Sequence, residues 1–105
     1  QKHLAHEFAY ALKEQGLDLF HLFLVPEKKG FDRLWMKVVN VRYWKEEEVR
    51  IRLQHVLSHL IPANVSSITA VIEADGIVTQ EYRFRAEELK RYREGKIGET
   101  ELSIV

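Results

Sequence analysis

The stretch KEEEVRIRLQHVLSHLIPANVSSITAVIEADGIVTQEYRF, residues 45–84, decides the fold because one helical pattern in it precedes two strand patterns. Its apolar residues first recur at the spacing of one helix face, at Val49, Leu53, Val56, Leu57 and Leu60. Pro62 disfavours helical geometry at the preceding residue and ends this helix. Residues 67–73 and 77–85 then read as strands, and residues 86–94 as a short final helix.

The same order, helix and then two strands, occurs once earlier, over residues 3–43. An apolar stripe predicts its helix, formed by Leu4, Phe8, Ala11 and Leu12. Gly16 suits the end of that helix, and strands are predicted over residues 17–25 and 33–43. Two αββ units in succession predict an α+β fold, with a four-stranded antiparallel sheet, two helices on one face and a short C-terminal helix.

Composition limits the class of protein. The 105 residues suit a single α/β domain, residues 1–105, and their 16 basic and 16 acidic side chains cancel. Without cysteine there is no disulfide or thiolate chemistry, and no apolar run approaches the ~18 residues of a membrane helix. We therefore expect no membrane insertion by this segment. Because the first residue is Gln1, we expect the segment to be excised from a larger protein.

The second hairpin has two possible registers. A two-residue turn at Asp75-Gly76 would mix apolar and charged residues on both faces of the sheet. A three-residue loop with Gly76 in the left-handed region shifts the pairing by one residue. Apolar residues then share one face, namely Ile68, Ala70, Ile72, Val78, Tyr82 and Phe84. The hydrophobic pattern therefore favours the three-residue loop.

The sequence contains no recognisable catalytic signature. His55 and His59 are four residues apart on the second helix, a spacing that can hold zinc, but their stripe continues through Glu48 and Arg52 like a solvated face. The sequence has no nucleophile elbow or phosphate-binding loop, and nothing in it singles out a general acid/base pair. We expect a protein that is not an enzyme and has no catalytic, cofactor-binding or metal-binding residues.

The first hairpin is apolar on both sides, because Leu19 and Phe23 alternate with Phe20, Leu22 and Leu24. One interpretation is a central strand whose second face lies under the C-terminal helix and loops. The other is an interaction surface formed by Leu19, Phe23 and Trp35, covered by another domain or by a second copy in a homodimer.

An alternative function is that of a small nucleic-acid-binding α/β module with a basic and aromatic sheet face. Lys28, Lys29, Trp35 and Lys37 mix basic and aromatic side chains in this region. The zero net charge and the initial helix argue against it, so we expect no nucleic-acid partner.

Four segments, taken in order, resemble the small α/β domains of outer-membrane exopolysaccharide proteins of the YjbH type. They are Ala11-Leu12-Lys13-Glu14-Gln15-Gly16, Asn40-Val41-Arg42-Tyr43, Leu60-Ile61-Pro62-Ala63-Asn64-Val65, and Asp75-Gly76-Ile77-Val78 ahead of Glu87-Glu88-Leu89. The resemblance covers nearly the whole chain in order and spacing.

This resemblance implies a non-enzymatic docking or structural domain on the periplasmic side of the outer membrane. The protein would assist exopolysaccharide or capsule secretion, with a parent outer-membrane barrel or other secretion components as partners. Asn40, Arg42 and Tyr43 match a family motif, for which we favour a structural role at the step from strand to helix.

Overall fold

A computed structural model describes residues 2–27, 31–42 and 45–103 of the chain. Its helices and strands follow the predicted order: α1 Lys2–Glu14, β1 Leu17–Pro26, β2 Asp32–Asn40, α2 Glu46–Leu60, β3 Val65–Ala74, β4 Ile77–Arg85 and α3 Ala86–Arg93. The predicted α+β class is confirmed. β2 ends at Asn40, and Tyr43, where the sequence predicted its end, lies outside the described residues.

The helix ends follow local chemistry. α1 ends at Glu14, and Gly16 two residues later has a φ of 82°, the left-handed conformation that favours glycine. Lys45 gives α2 no side-chain cap, but three glutamates occupy its first turn, where negative charge interacts favourably with the positive end of the helix dipole. Ile61, just before Pro62, has an extended backbone with ψ of 127°, as expected for a residue that precedes proline.

The sheet is mixed, so the prediction of a purely antiparallel sheet was wrong. The strand order is β1-β2-β3-β4; the two hairpins are antiparallel, but β2 and β3 run parallel. The cause is α2, which carries the chain back along the sheet so that β3 starts at the same end as β2. The segment β2-α2-β3 is therefore a βαβ unit, and β1 and β4 pair with its outer edges to form the two hairpins.

The second hairpin has a two-residue turn, so the predicted three-residue loop was wrong. Asp75 and Gly76 both have positive φ, 52° and 77°, and Ala74 pairs with Ile77. The positive φ predicted for Gly76 is confirmed. The one-residue shift in register comes instead from a β-bulge further along β4, at Thr79, which has no partner in the register. The Thr79 hydroxyl donates to the carbonyl of Ile72 at 3.4 Å.

This bulge restores the predicted distribution of side chains between the two faces. Ala70 pairs with Tyr82 and Ile68 with Phe84, so the apolar sets meet on one face, as predicted. Val78 departs from the prediction, because it pairs with Glu73 on the other face. A bulge within a strand moves the side chains across the sheet just as a longer loop would.

The three helices form one layer on one face of the sheet, with α1 against β1, α2 between α1 and α3, and α3 against β3 and β4. Of the predicted packing residues, Phe8, Leu12, Leu53 and Leu57 are fully buried, while Leu4 and Leu60 are partly buried against the core. The sheet contributes alternate residues to this core, namely Leu17, Leu34, Met36, Val38, Ile68, Ala70, Ile72, Tyr82 and Phe84.

β1 is an edge strand, so the interpretation of it as a central strand was wrong. A second bulge lies at Phe20, between Leu19 and His21, and it explains the two-sided apolar pattern. Leu19 packs against the core with the following leucines of the strand, whereas Phe20 and Phe23 are 58% and 53% exposed.

Candidate interaction surface and cleft

The sheet face opposite the helices is called the open face. The paired registers place on it His21, Phe23, Trp35, Lys37, Thr69, Val71, Glu73, Glu81 and Arg83. None of these residues belongs to the core cluster that the helices cover. Among the described residues, no helix or strand therefore covers the open face.

Three rings gather at the β1 edge of the open face, and we call them the aromatic cluster: His21, Phe23 and Trp35. Phe23 and Trp35 are directly paired across the strands, with ring centroids 5.7 Å apart. His21 stacks on Phe23 at 5.8 Å with an interplanar angle of 14°. The structure thus joins two of the three predicted surface residues, while Leu19 lies on the helix side.

The centre of the open face is unusually well buried for an uncovered sheet. Thr69, between Trp35 and Arg83, is 3% exposed, and Val71, between Lys37 and Glu81, is 7% exposed. The Thr69 hydroxyl has no hydrogen-bond partner among the described residues. An unsatisfied buried hydroxyl costs about 1–3 kcal/mol.

Charged side chains of both signs surround the aromatic cluster. Lys37 and Glu73 form an ion pair of 2.8 Å across β2 and β3, with side chains only 28% and 15% exposed. Arg83 and Glu81 on β4 are exposed. A face with aromatic residues at one edge and mixed charges beside them has the composition of a protein interface with a polar rim.

A cleft of about 610 Å³ lies at one end of the sheet, where the parallel strands β2 and β3 end beside the first turn of α2. At its wall the Tyr82 hydroxyl donates a short hydrogen bond to Glu46 Oε2, and Arg50 Nε lies 3.7 Å from the same oxygen. Burial, followed by this hydrogen bond and the Glu46 charge, raises the pKa of Tyr82.

The predicted family motif lies at this cleft. Asn40 is the last residue of β2 and Arg42 follows it, and both line the cleft, while Tyr43 lies outside the described residues. The sequence pattern did not indicate that Glu46, Tyr82 and the exposed Phe20 belong to the same site. No spacing signal could link Glu46 with a tyrosine 36 residues later, since only the tertiary fold brings the start of α2 next to β4.

His55 and His59 lie side by side on the exposed surface of α2, with ring centroids 4.7 Å apart. The His59 Nδ1 atom is 2.9 Å from the carbonyl oxygen of His55. Within residues 2–27, 31–42 and 45–103, no group of three or more histidine, cysteine or acidic residues is placed to hold a metal ion. The helices of these ranges are all too short or too polar to cross a membrane.

Comparison with models of known families shows to which family the chain belongs. The model of the YjbH family, described as "Exopolysaccharide biosynthesis protein YbjH", matches residues 1–105, the whole chain. The chain belongs to the YjbH family. The resemblance noted from the four sequence segments is thereby confirmed.

Membership in the YjbH family gives the chain a role in exopolysaccharide biosynthesis or secretion. The match offers no support to the nucleic-acid interpretation. No curated protein and no solved structure matches the chain.

Proposed function

We propose that this YjbH-family chain is a non-enzymatic docking domain on the periplasmic side of the outer membrane. In this proposal its open face binds the outer-membrane barrel of its parent protein or another component of exopolysaccharide or capsule secretion. One observation carries the proposal: Phe23, 53% exposed and in ring contact with both His21 and Trp35, lies on a face outside the helix-covered core.

The apolar area of Phe23 that remains in water favours docking. Burial of a whole phenylalanine side chain contributes about 1.5–3 kcal/mol, so covering the exposed half of Phe23 would contribute about 1 kcal/mol. Trp35 and Val25 on the same face are only partly buried, so a partner could bury several apolar side chains together. Aromatic residues are also the ones that most often dominate binding energy at interfaces.

Two ion pairs support the use of the open face as an interface. The Lys37 and Glu73 side chains neutralise each other at 2.8 Å, and Arg33 Nη1 is 3.8 Å from Glu27. Such pairs fix orientation and specificity at an interface.

The test is a substitution in the native protein within cells that secrete the polymer. We expect Phe23→Glu to lower the amount of extracellular polysaccharide strongly while the protein level stays unchanged, because a buried unpaired carboxylate would oppose docking. The matched control is Tyr10→Glu, which changes an aromatic residue that is 69% exposed on α1. It should leave secretion unchanged.

The amount of polymer inside the cell distinguishes a docking role in export from a role in biosynthesis. If Phe23→Glu blocks export, polymer should accumulate inside the cell. Equal export from Phe23→Glu and wild type would refute docking through the open face. A concentration-dependent dimer of the purified chain that Phe23→Glu abolishes, without any change in export, would identify a second copy as the occupant instead.

A further inference from the structure

The cleft at the end of β2 and β3 is a second site, which adjoins the open face at Glu73. In sheets with parallel strands, small molecules bind beyond the carboxyl ends of the strands, where successive connections diverge. The cleft volume of about 610 Å³ falls within the usual range of ligand sites, about 300–1,000 Å³. We infer that this cleft binds a short segment of a neutral saccharide.

The polar lining of the cleft suits sugar hydroxyls. Each hydroxyl both donates and accepts hydrogen bonds, so its site needs both kinds of group at close spacing. The cleft offers amides, hydroxyls and a carboxylate from β2, α2 and β4, including Asn40, Glu46, Thr79, Gln80 and Tyr82.

Glu46 is the central acceptor of this set. Its Oε2 atom receives the Tyr82 hydroxyl and faces Arg50 Nε, which fixes the carboxylate at the start of α2. Its Oε1 atom has no hydrogen-bond partner among the residues that the structure describes. A carboxylate held in this way accepts hydrogen bonds from a hydroxyl more strongly than a neutral group does.

Phe20 supplies the apolar part of the site. The bulge in β1 takes Phe20 out of the regular alternation and leaves it 58% exposed where it lines the cleft. A pyranose ring has apolar C–H surfaces between its hydroxyls, and an exposed phenyl ring can pack against such a surface.

The charges at the cleft favour a neutral ligand. Its charged lining residues are Glu46, Glu73, Asp75 and Arg42; Glu46 and Glu73 pair with Arg50 and Lys37, which do not line the cleft. The two remaining lining charges, Asp75 and Arg42, have opposite signs, so no net positive field attracts a phosphate or a uronate. This inference rests on the proposed function for the choice of a saccharide, which the family match supports.

The experiment uses the exopolysaccharide secreted by the cells that carry this protein, hydrolysed to oligosaccharides and separated into neutral and acidic fractions. Each fraction is titrated into the ¹⁵N-labelled chain while amide resonances are followed. The neutral fraction should cause saturable shifts around Asn40, Glu46 and Thr79. Glu46→Gln and Phe20→Ala should each weaken binding by about tenfold or more, the loss typical of one charged hydrogen bond or one ring contact.

Matched controls come from neighbouring residues outside the cleft. Glu47→Gln changes the next glutamate of α2, and Phe31→Ala changes a phenylalanine of similar exposure, 52%, just ahead of β2 and outside both proposed sites. Both should bind the neutral fraction like the wild type. Glu46→Gln leaves Tyr82 an oxygen acceptor, so an unchanged amide spectrum without ligand will show that the fold is intact.

Three results would overturn the inference: no saturable shift with the neutral fraction, tighter binding of the acidic fraction, or equal weakening by Phe31→Ala and Phe20→Ala. These outcomes are separate from the docking proposal. Docking fails when Phe23→Glu leaves export unchanged, whereas the saccharide site fails in the titration of the purified chain.

Discussion

Replacement of Thr69 by valine should stabilise the protein. Thr69 is 3% exposed in the middle of β3, and its hydroxyl has no hydrogen-bond partner among the described residues. The hydroxyl therefore loses water on folding without gaining a bond, at a cost of about 1–3 kcal/mol. Valine has nearly the same shape and suits a strand, so we expect the free energy of unfolding to rise by about 1 kcal/mol.

Thermal unfolding followed by circular dichroism measures this change. For a domain of about 100 residues, about 1 kcal/mol corresponds to a rise in Tm of about 4–8 °C. Thr79→Val is the matched control, because the Thr79 hydroxyl donates to the Ile72 carbonyl at 3.4 Å. That variant should lose stability, by at most about 1 kcal/mol because Thr79 is exposed. Equal destabilisation by both variants would show that the Thr69 hydroxyl is satisfied and would refute the reasoning.

Two further predictions concern the second hairpin and the wall of the cleft. Gly76→Val should lower the free energy of unfolding by about 1–2 kcal/mol in urea titrations, since φ is +77° although space for a Cβ is open; an unchanged midpoint would contradict this. Tyr82 should make stability fall as pH rises above about 10, because its raised pKa keeps it neutral in the folded chain while the unfolded chain ionises. Tyr82→Phe should remove this part of the alkaline loss, and an identical alkaline profile for the variant would show that other groups cause it.

Local signals predicted the elements of the fold well. Pro62 and the glutamates at 46–48 predicted both ends of α2, and β4 spans Ile77–Arg85 as expected from its alternation. The apolar periodicity also identified the core faces of α1 and α2. These features depend on a few neighbouring residues, and the sequence shows them directly.

The sequence pattern did not predict the features that depend on how several helices and strands pack together. The parallel pairing of β2 and β3 follows from the path of α2 over the sheet, which strand propensity does not show. The bulges at Phe20 and Thr79 each shift a strand by one residue, and no residue type marks them in advance. As a result Leu19 was assigned to the surface, and the cleft that joins Phe20, Asn40, Glu46 and Tyr82 was not foreseen.

Photo-crosslinking in living cells tests the docking proposal most directly. The native protein would carry benzoylphenylalanine at position 23 on the open face or, as a control, at position 10 on α1, where the native tyrosine is 69% exposed. Docking through the aromatic cluster predicts an adduct with the outer-membrane barrel of the parent protein or a secretion component at position 23, and none at position 10. No adduct at position 23, or the same adducts at both positions, would contradict it.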